Sequence, residues 1–130
     1  MGTAGTTILV IDDNPVNLKL ASEVLLADGF TVICADDAEQ ALHLLETVTP
    51  DLVLTDIALP KMDGLELTRR LKADPRYRHL PVVAMTASAM KGDEARVLEA
   101  GCDAYIAKPI DTRTLAAQIM RLIRVPPVTP

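Results

Sequence analysis

Five short apolar runs, each stopped by polar residues, alternate along the chain with stretches whose apolar side chains recur at helical spacing. Thr7 to Ile11 (TILVI) is apolar and rich in β-branched residues and ends at two aspartates, as a strand buried on both faces of a parallel sheet does. Asn14 then suits a helix cap and Pro15 the first helical position. Val16, Leu20 and Val24 form one row of this first helix and Leu18, Ala21 and Leu25 its neighbour, until Gly29 stops it. Phe30 to Ala35 reads as the second strand. Asp36 and Asp37 open a helix with Ala38, Ala41, Leu42 and Leu45 on one face, and Pro50 lies beyond its end. The third strand is Asp51 to Thr55, closed by Asp56.

Ile57 to Gly64 holds a Pro and a Gly and reads as a loop, after which Leu65, Leu67, Thr68 and Leu71 continue a helix to Asp74-Pro75. The basic run Arg76, Arg78, His79 belongs to a solvated surface connection. Pro81 to Met85 forms the fourth strand, with Thr86 after it. Gly92 to Ala100 is helical but weakly apolar, with Val97 and Leu98 as its anchors, and is expected to be the loosest helix. Ala104 to Ala107 is a fifth strand. Asp111 caps a last helix with Leu115, Ile119, Leu122 and Ile123 on one face. Five strands alternating with five helices through short loops predict an α/β fold, a parallel sheet with helices on both faces.

The length of 130 residues fits one domain. The expected division is a flexible start at residues 1–6, the domain at 7–124, and a Pro-rich tail or truncated linker at 125–130. Aromatic residues are few: Phe30, Tyr77 and Tyr105, with no Trp, which argues against stacking platforms for bases or a flavin ring. A net charge of −5 opposes a phosphate backbone, so no direct nucleic-acid contact is expected. Cys34 and Cys102 lack a CxxC spacing and read as two buried thiols in a reducing compartment. No apolar run approaches the roughly 20 residues of a membrane span, and the small, polar start reads as a cytoplasmic leader.

In open α/β sheets ligands bind beyond the carboxyl ends of the strands. There the chain places Asp12 and Asp13, Asp56, Thr86 and Lys108. A single aspartate after a strand is most simply a cap or turn former. Three that converge are different, since each like-charge pair costs about 4 kcal/mol at ~4 Å and an effective dielectric near 20. Such a cluster calls for a cation, and an all-oxygen donor set describes Mg²⁺ or Mn²⁺ rather than Zn²⁺. A hard divalent ion, a Lys and an Asp able to act as nucleophile make up the inventory of phosphoryl transfer, to which Thr86 adds a hydroxyl donor.

Four motifs carry a resemblance: VIDDN at residues 10 to 14, LTDIALPKMDG at 54 to 64, AMTA at 84 to 87 and AYIAKPI at 104 to 110. In this order and at these distances they resemble the receiver domains of two-component response regulators, of the chemotaxis-regulator type, over Thr7 to Arg124. The resemblance implies a flavodoxin-like doubly wound sheet of order 2-1-3-4-5. It implies Asp56 as the phospho-acceptor and a metal site of Asp13, Asp56, Asp12 through a water, and the backbone carbonyl of Ala58. Thr86, Ala87 and Lys108 would bind the phosphoryl group, Thr86 and Tyr105 would form the switch, and the Lys108-Pro109 bond would be cis.

The implied partners are a histidine kinase or histidine phosphotransfer protein upstream and an effector on the surface of the fourth helix, fifth strand and fifth helix. A monomer or weak phosphorylation-dependent dimer in the cytoplasm is expected, acting as a signalling domain rather than a turnover enzyme. Ala58 offers no polar group to orient water, so a long-lived phosphoryl state is expected; a half-life of seconds would contradict it. A haloacid-dehalogenase-like phosphatase would need a second Asp two positions after the first, where this chain has Asn14 after Asp12. A phosphate-independent interaction module on the same fold would be expected to lack Asp56, Thr86 or Lys108, and all three are present. The stretch AMKGDEARVLEAGCDAYIAKPI resembles bacterial cell-cycle regulators, while DDNPVN also suits the receiver of a hybrid kinase.

Overall fold

The apolar runs become strands and the periodic stretches become helices in the computed structural model, which describes residues 5–87, 94–108 and 110–124. In chain order these are β1 (Thr7–Ile11), α1 (Pro15–Ala27), β2 (Thr31–Ala35), α2 (Ala38–Leu45), β3 (Leu52–Asp56), α3 (Gly64–Ala73), β4 (Val82–Thr86), α4 (Glu94–Ala100), β5 (Ala104–Ala107) and α5 (Leu115–Arg124). The sheet is parallel throughout, in the order β2-β1-β3-β4-β5. The central strands are buried on both faces, every residue of β3 and β4 included, which is why they are apolar until Thr55-Asp56 closes the one and Thr86 the other.

Successive residues of a strand face opposite sides of the sheet, so two cores form. On one side Leu9, Ile11, Val53, Val82 and Ala84 meet α2, α3 and α4 through Ala41, Leu67, Leu71 and Val97. On the other Ile8, Val10, Leu52, Leu54 and Met85 meet α1 and α5 through Ala21, Leu25, Leu115 and Ile119. Each fully buried Leu or Ile is worth roughly 1.5–3 kcal/mol of transfer free energy, and aliphatic residues supply nearly all of both layers.

Helix starts are set by short side chains. Asn14 accepts from the backbone N–H of Val16 and Asn17, Asp37 from Gln40 and Asp63 from Glu66. Gly29 and Gly101 follow α1 and α4 with positive φ, the backbone state that closes a helix. At the amino edge of the sheet Lys72 donates to the Leu80 carbonyl at 2.8 Å and to Asp103 Oδ2 at 3.0 Å. That same Asp103 oxygen accepts the Val82 N–H, tying α3 to the starts of β4 and β5.

Several expectations need correction. Of the two rows on α1, Ala21 and Leu25 are buried, but Val16 is 73% and Leu20 38% exposed, because the helix turns one row to the sheet and the other outward. On α4 the anchors are Val97 and Ala100, while Leu98 is half exposed. The thiols are not alike: Cys102 is buried, whereas Cys34 lies exposed on β2, an edge strand covered on one flank only. Asp56 and Thr86 are the last residues of their strands rather than residues after them, since pairing with Met85 and Ala107 extends the ladder to them. The expected helix start at Gly92, together with Pro109 and the tail at 125–130, lies outside the described residues.

Candidate functional site

Asp12 leaves β1 with its N–H bonded to the Ala35 carbonyl, and its Oδ1 accepts the Asn14 N–H at 2.9 Å. That turn folds the carboxylate inward, where it is 1% exposed, while Asp13, next in the chain, faces solvent. Asp56 closes the neighbouring strand β3 and is 6% exposed; its Oδ1 accepts the Ala58 N–H at 3.1 Å. Because β1 and β3 are adjacent, one carboxylate oxygen from each of Asp12, Asp13 and Asp56 falls within 4.8 Å of the others.

Lys108 arrives from the far side. Its N–H bonds the Thr86 carbonyl at 2.8 Å, fixing where the chain leaves β5. Its Nζ donates to Asp56 Oδ2 at 2.9 Å and to Asp12 Oδ2 at 3.2 Å. Burial pushes the Asp12 carboxyl above its ordinary range, against the Asn14 N–H and the Lys108 charge, and the Asp56 charge adds to the rise. For Lys108 burial pulls downward, but its hydrogen bond to Asp56 and the charges of Asp56 and Asp12 outweigh it, and its net shift is upward. Among the described residues no buried side-chain polar atom lacks a partner.

Above these groups opens a cleft of about 440 Å³ lined by Asp56, Ala58, Thr86, Ala87 and Lys108, with Asp63 and Arg96 on its outer wall. Thr86 is buried at its floor, and the small Ala58 and Ala87 are exposed and leave the mouth open. Tyr105, expected to act with Thr86, pairs with Ala84 on β5 and lies half-buried against the core layer that includes Val97 of α4. The structure thus gathers Asp12, Asp13, Asp56, Ala58, Thr86, Ala87 and Lys108 in one place, with Tyr105 beside β4. The expected cis bond involves Pro109, which lies outside the described residues.

The donor set fits Mg²⁺ or Mn²⁺: three convergent carboxylates, two of them buried and one of those, Asp12, pushed toward its neutral form, with oxygen atoms as the ligands on offer. His43 and His79 stand on α2 and beyond α3, outside this cluster. Three residues that sequence reasoning did not single out belong here. Asp63 and Arg96 line the cleft, and Gly64 packs where a Cβ would sit 2.8 Å from the Cα of Ile57 and collide with the Asp56 carbonyl. A signal existed for Gly64, a glycine opening a helix within reach of the Asp56 loop. Arg96 carried none, because a charged residue on an exposed helix is ordinary.

The family model of the response regulator receiver domain matches residues 8–120. Over 104 residues, 80% of this chain and 85% of the relative, the chain is 46% identical to the polar-differentiation response regulator DivK of Brucella anthropi. Its fold is similar to the receiver domain of a signal transduction histidine kinase from Syntrophus aciditrophicus, with a TM-score of 0.85 and 31% identity over 97% of this chain and 98% of that one. It is similar also to the receiver domain of a sensor histidine kinase from Pseudomonas aeruginosa, with a TM-score of 0.85 and 37% identity over 92% of this chain and 98% of that one. That crystal structure has a magnesium ion coordinated in its active site cleft.

Proposed function

The chain belongs to the response regulator receiver domain family, and on that premise we propose that it is a phospho-accepting switch of a two-component phosphorelay, with Asp56 as the acceptor. Receiver domains are signalling domains rather than turnover enzymes. The observation that carries the reading is the fixing of both Asp56 oxygens, one by the Ala58 N–H and the other by Lys108, at the floor of an open cleft.

In the transfer, an Asp56 carboxylate oxygen forms a bond to phosphorus as the nitrogen–phosphorus bond of a donor phosphohistidine breaks. The electron pair of that bond returns to the imidazole nitrogen. Lys108, already beside Asp56, neutralises charge that spreads over the phosphoryl oxygens, and a donor preorganised in this way needs no rearrangement during the reaction. Asp12, Asp13, Asp56 and the Ala58 carbonyl would hold Mg²⁺ or Mn²⁺, which when bound supplies further stabilisation of that charge. The Thr86 hydroxyl and the uncrowded Ala87 complete the phosphoryl pocket. Thr86 and Tyr105 then bias the surface of α4, β5 and α5 between two states, which an effector reads.

The phosphohistidine reaches Asp56 from a histidine kinase or histidine phosphotransfer protein in the cytoplasm. A second cleft of about 280 Å³, lined by Asn17, Leu20, Ala87, Lys108 and Ile110, shares Lys108 and Ala87 with the acceptor cleft. It extends the site onto the outward row of α1, where Val16 and Leu20 offer apolar surface to the donor. Beryllofluoride with Mg²⁺, a phosphoryl mimic, tests the reading: it should shift amide signals around Asp56, Thr86 and Tyr105 in the native protein and none in Asp56→Asn. No shift in the native protein would overturn it.

A further inference from the structure

We propose that Arg96 is a phosphoryl-sensing residue, whose guanidinium on α4 takes up the negative charge that phosphorylation adds at Asp56 and so ties α4 to the state of the acceptor. The inference rests on the acceptor reading above. Among the described residues lining the acceptor cleft the cations are Lys108 and Arg96, and they stand on different elements: Lys108 follows β5, and Arg96 belongs to α4.

Charge balance supplies the reason. Three carboxylates converge here and Lys108 bridges two of them, so a divalent cation brings the unphosphorylated site close to neutrality. A phosphoryl group carries roughly −1.5 to −2 at neutral pH and replaces the single charge of the Asp56 carboxylate. The phosphorylated site is therefore left with roughly 0.5 to 1 uncompensated negative charge. The single charge of Lys108 is already counted in that balance, set against the two carboxylates it bonds, so the remainder needs a second cation. Asp63, on the same wall, makes the deficit worse, and its Oδ1 is held as the α3 cap by the Glu66 N–H at 2.8 Å.

Arg96 fits the deficit in kind and in place. A guanidinium presents a planar fork of N–H donors that matches phosphoryl oxygens in pairs. Arg96 is not without a partner in this state, so a phosphoryl group competes for it. Because the described buried anchors of α4 are Val97 and Ala100, a pull on Arg96 moves against few packed side chains among the described residues. Such a link differs from the Thr86 hydroxyl, which is neutral and belongs to β4: it acts on α4 directly and is screened by salt.

The test titrates the native protein, Arg96→Ala and Arg96→Lys with beryllofluoride in Mg²⁺, following backbone amides by NMR, with Asp56→Asn as control. Arg96→Ala is expected to bind about tenfold more weakly, the effect of about 1.4 kcal/mol. It should lose the shifts of Glu94 to Ala100 while keeping those of Thr86 and Lys108. Arg96→Lys keeps part of the affinity, and added salt narrows the gap between native and Arg96→Ala proteins. Equal affinity and equal α4 shifts in Arg96→Ala, or a Lys variant as weak as the Ala variant, would overturn the proposal and leave the acceptor reading standing. If the native protein does not bind beryllofluoride, or Asp56→Asn binds it equally, the acceptor reading fails and this proposal with it.

Discussion

Lys108 Nζ donates a 2.9 Å hydrogen bond to Asp56 Oδ2 across a sequence separation of 52 residues, so the cation proposed to serve the phosphoryl group also holds the carboxylate proposed to receive it. The same ammonium reaches Asp12, which means that one positive charge offsets two acidic groups and competes with any metal ion for them.

Replacing Lys108 should therefore act in opposite directions on two measurements. Lys108→Met leaves Asp12 and Asp56 without their cation, and removing one member of a buried charge cluster costs stability, here about 2–4 kcal/mol in EDTA by urea denaturation. The same change strengthens Mg²⁺ binding in calorimetric titration, since a competing positive charge has gone. Weaker Mg²⁺ binding in Lys108→Met would contradict this account of the site.

Asp12 gives the metal-free protein a distinctive pH dependence. Its folded-state pKa is raised by burial, so the folded form binds the proton more tightly than the unfolded form does. The contribution of Asp12 to stability is then complete below the unfolded value near 3.8 and is lost as pH rises through the elevated folded value. Lys108, raised as well, gives a stabilisation that is complete below 10.5 and is lost only as pH rises through its higher folded value. Thermal melts in EDTA should show the acid-side slope in the native protein and a flatter profile in Asp12→Asn, with saturating Mg²⁺ removing the difference.

Gly64 holds the acceptor strand to α3. An added methyl would collide with the Asp56 carbonyl and stand 2.8 Å from the Cα of Ile57, and neither backbone atom can rotate aside. Gly64→Ala should cost about 3 kcal/mol, the upper range of overpacking, and weaken beryllofluoride binding by displacing Asp56. At Gly101 the nearest atom is Lys72 Cγ, a flexible side chain, so the steric part of an alanine there is milder, although φ of +107 strains it.

Val16 and Leu20 separate docking from chemistry. Both are exposed, so a double change to Ser should leave the melting temperature within about a degree or two, as surface substitutions do within roughly 0.5 kcal/mol. Phosphotransfer from a histidine-bearing donor should slow, with no change in labelling by a small-molecule acyl phosphate. Equal slowing with both donors would place these residues in the acceptor site rather than on a docking face.

Local chemistry wrote much of this protein into its sequence. Apolar runs that end at Asp12 or Asp56, the caps Asn14, Asp37 and Asp63, and glycines at 29 and 101 act through near neighbours, so the order and type of the elements are legible from the chain. The acidic and basic residues at the strand ends are legible too, because their polarity contrasts with the runs they close.

Tertiary structure decided the rest. Val16 and Leu20 repeat at helical spacing as regularly as Ala21 and Leu25, but only the position of the sheet determines which row is covered. Cys34 and Cys102 read alike until one falls on an edge strand. The gathering of Asp12, Asp13, Asp56 and Lys108 depends on β1 lying beside β3 and on β5 completing the far edge. Arg96 joins them because α4 packs beside that cleft. Strand neighbourhood is a long-range choice, set by which faces bury most apolar surface together, and no local periodicity records it.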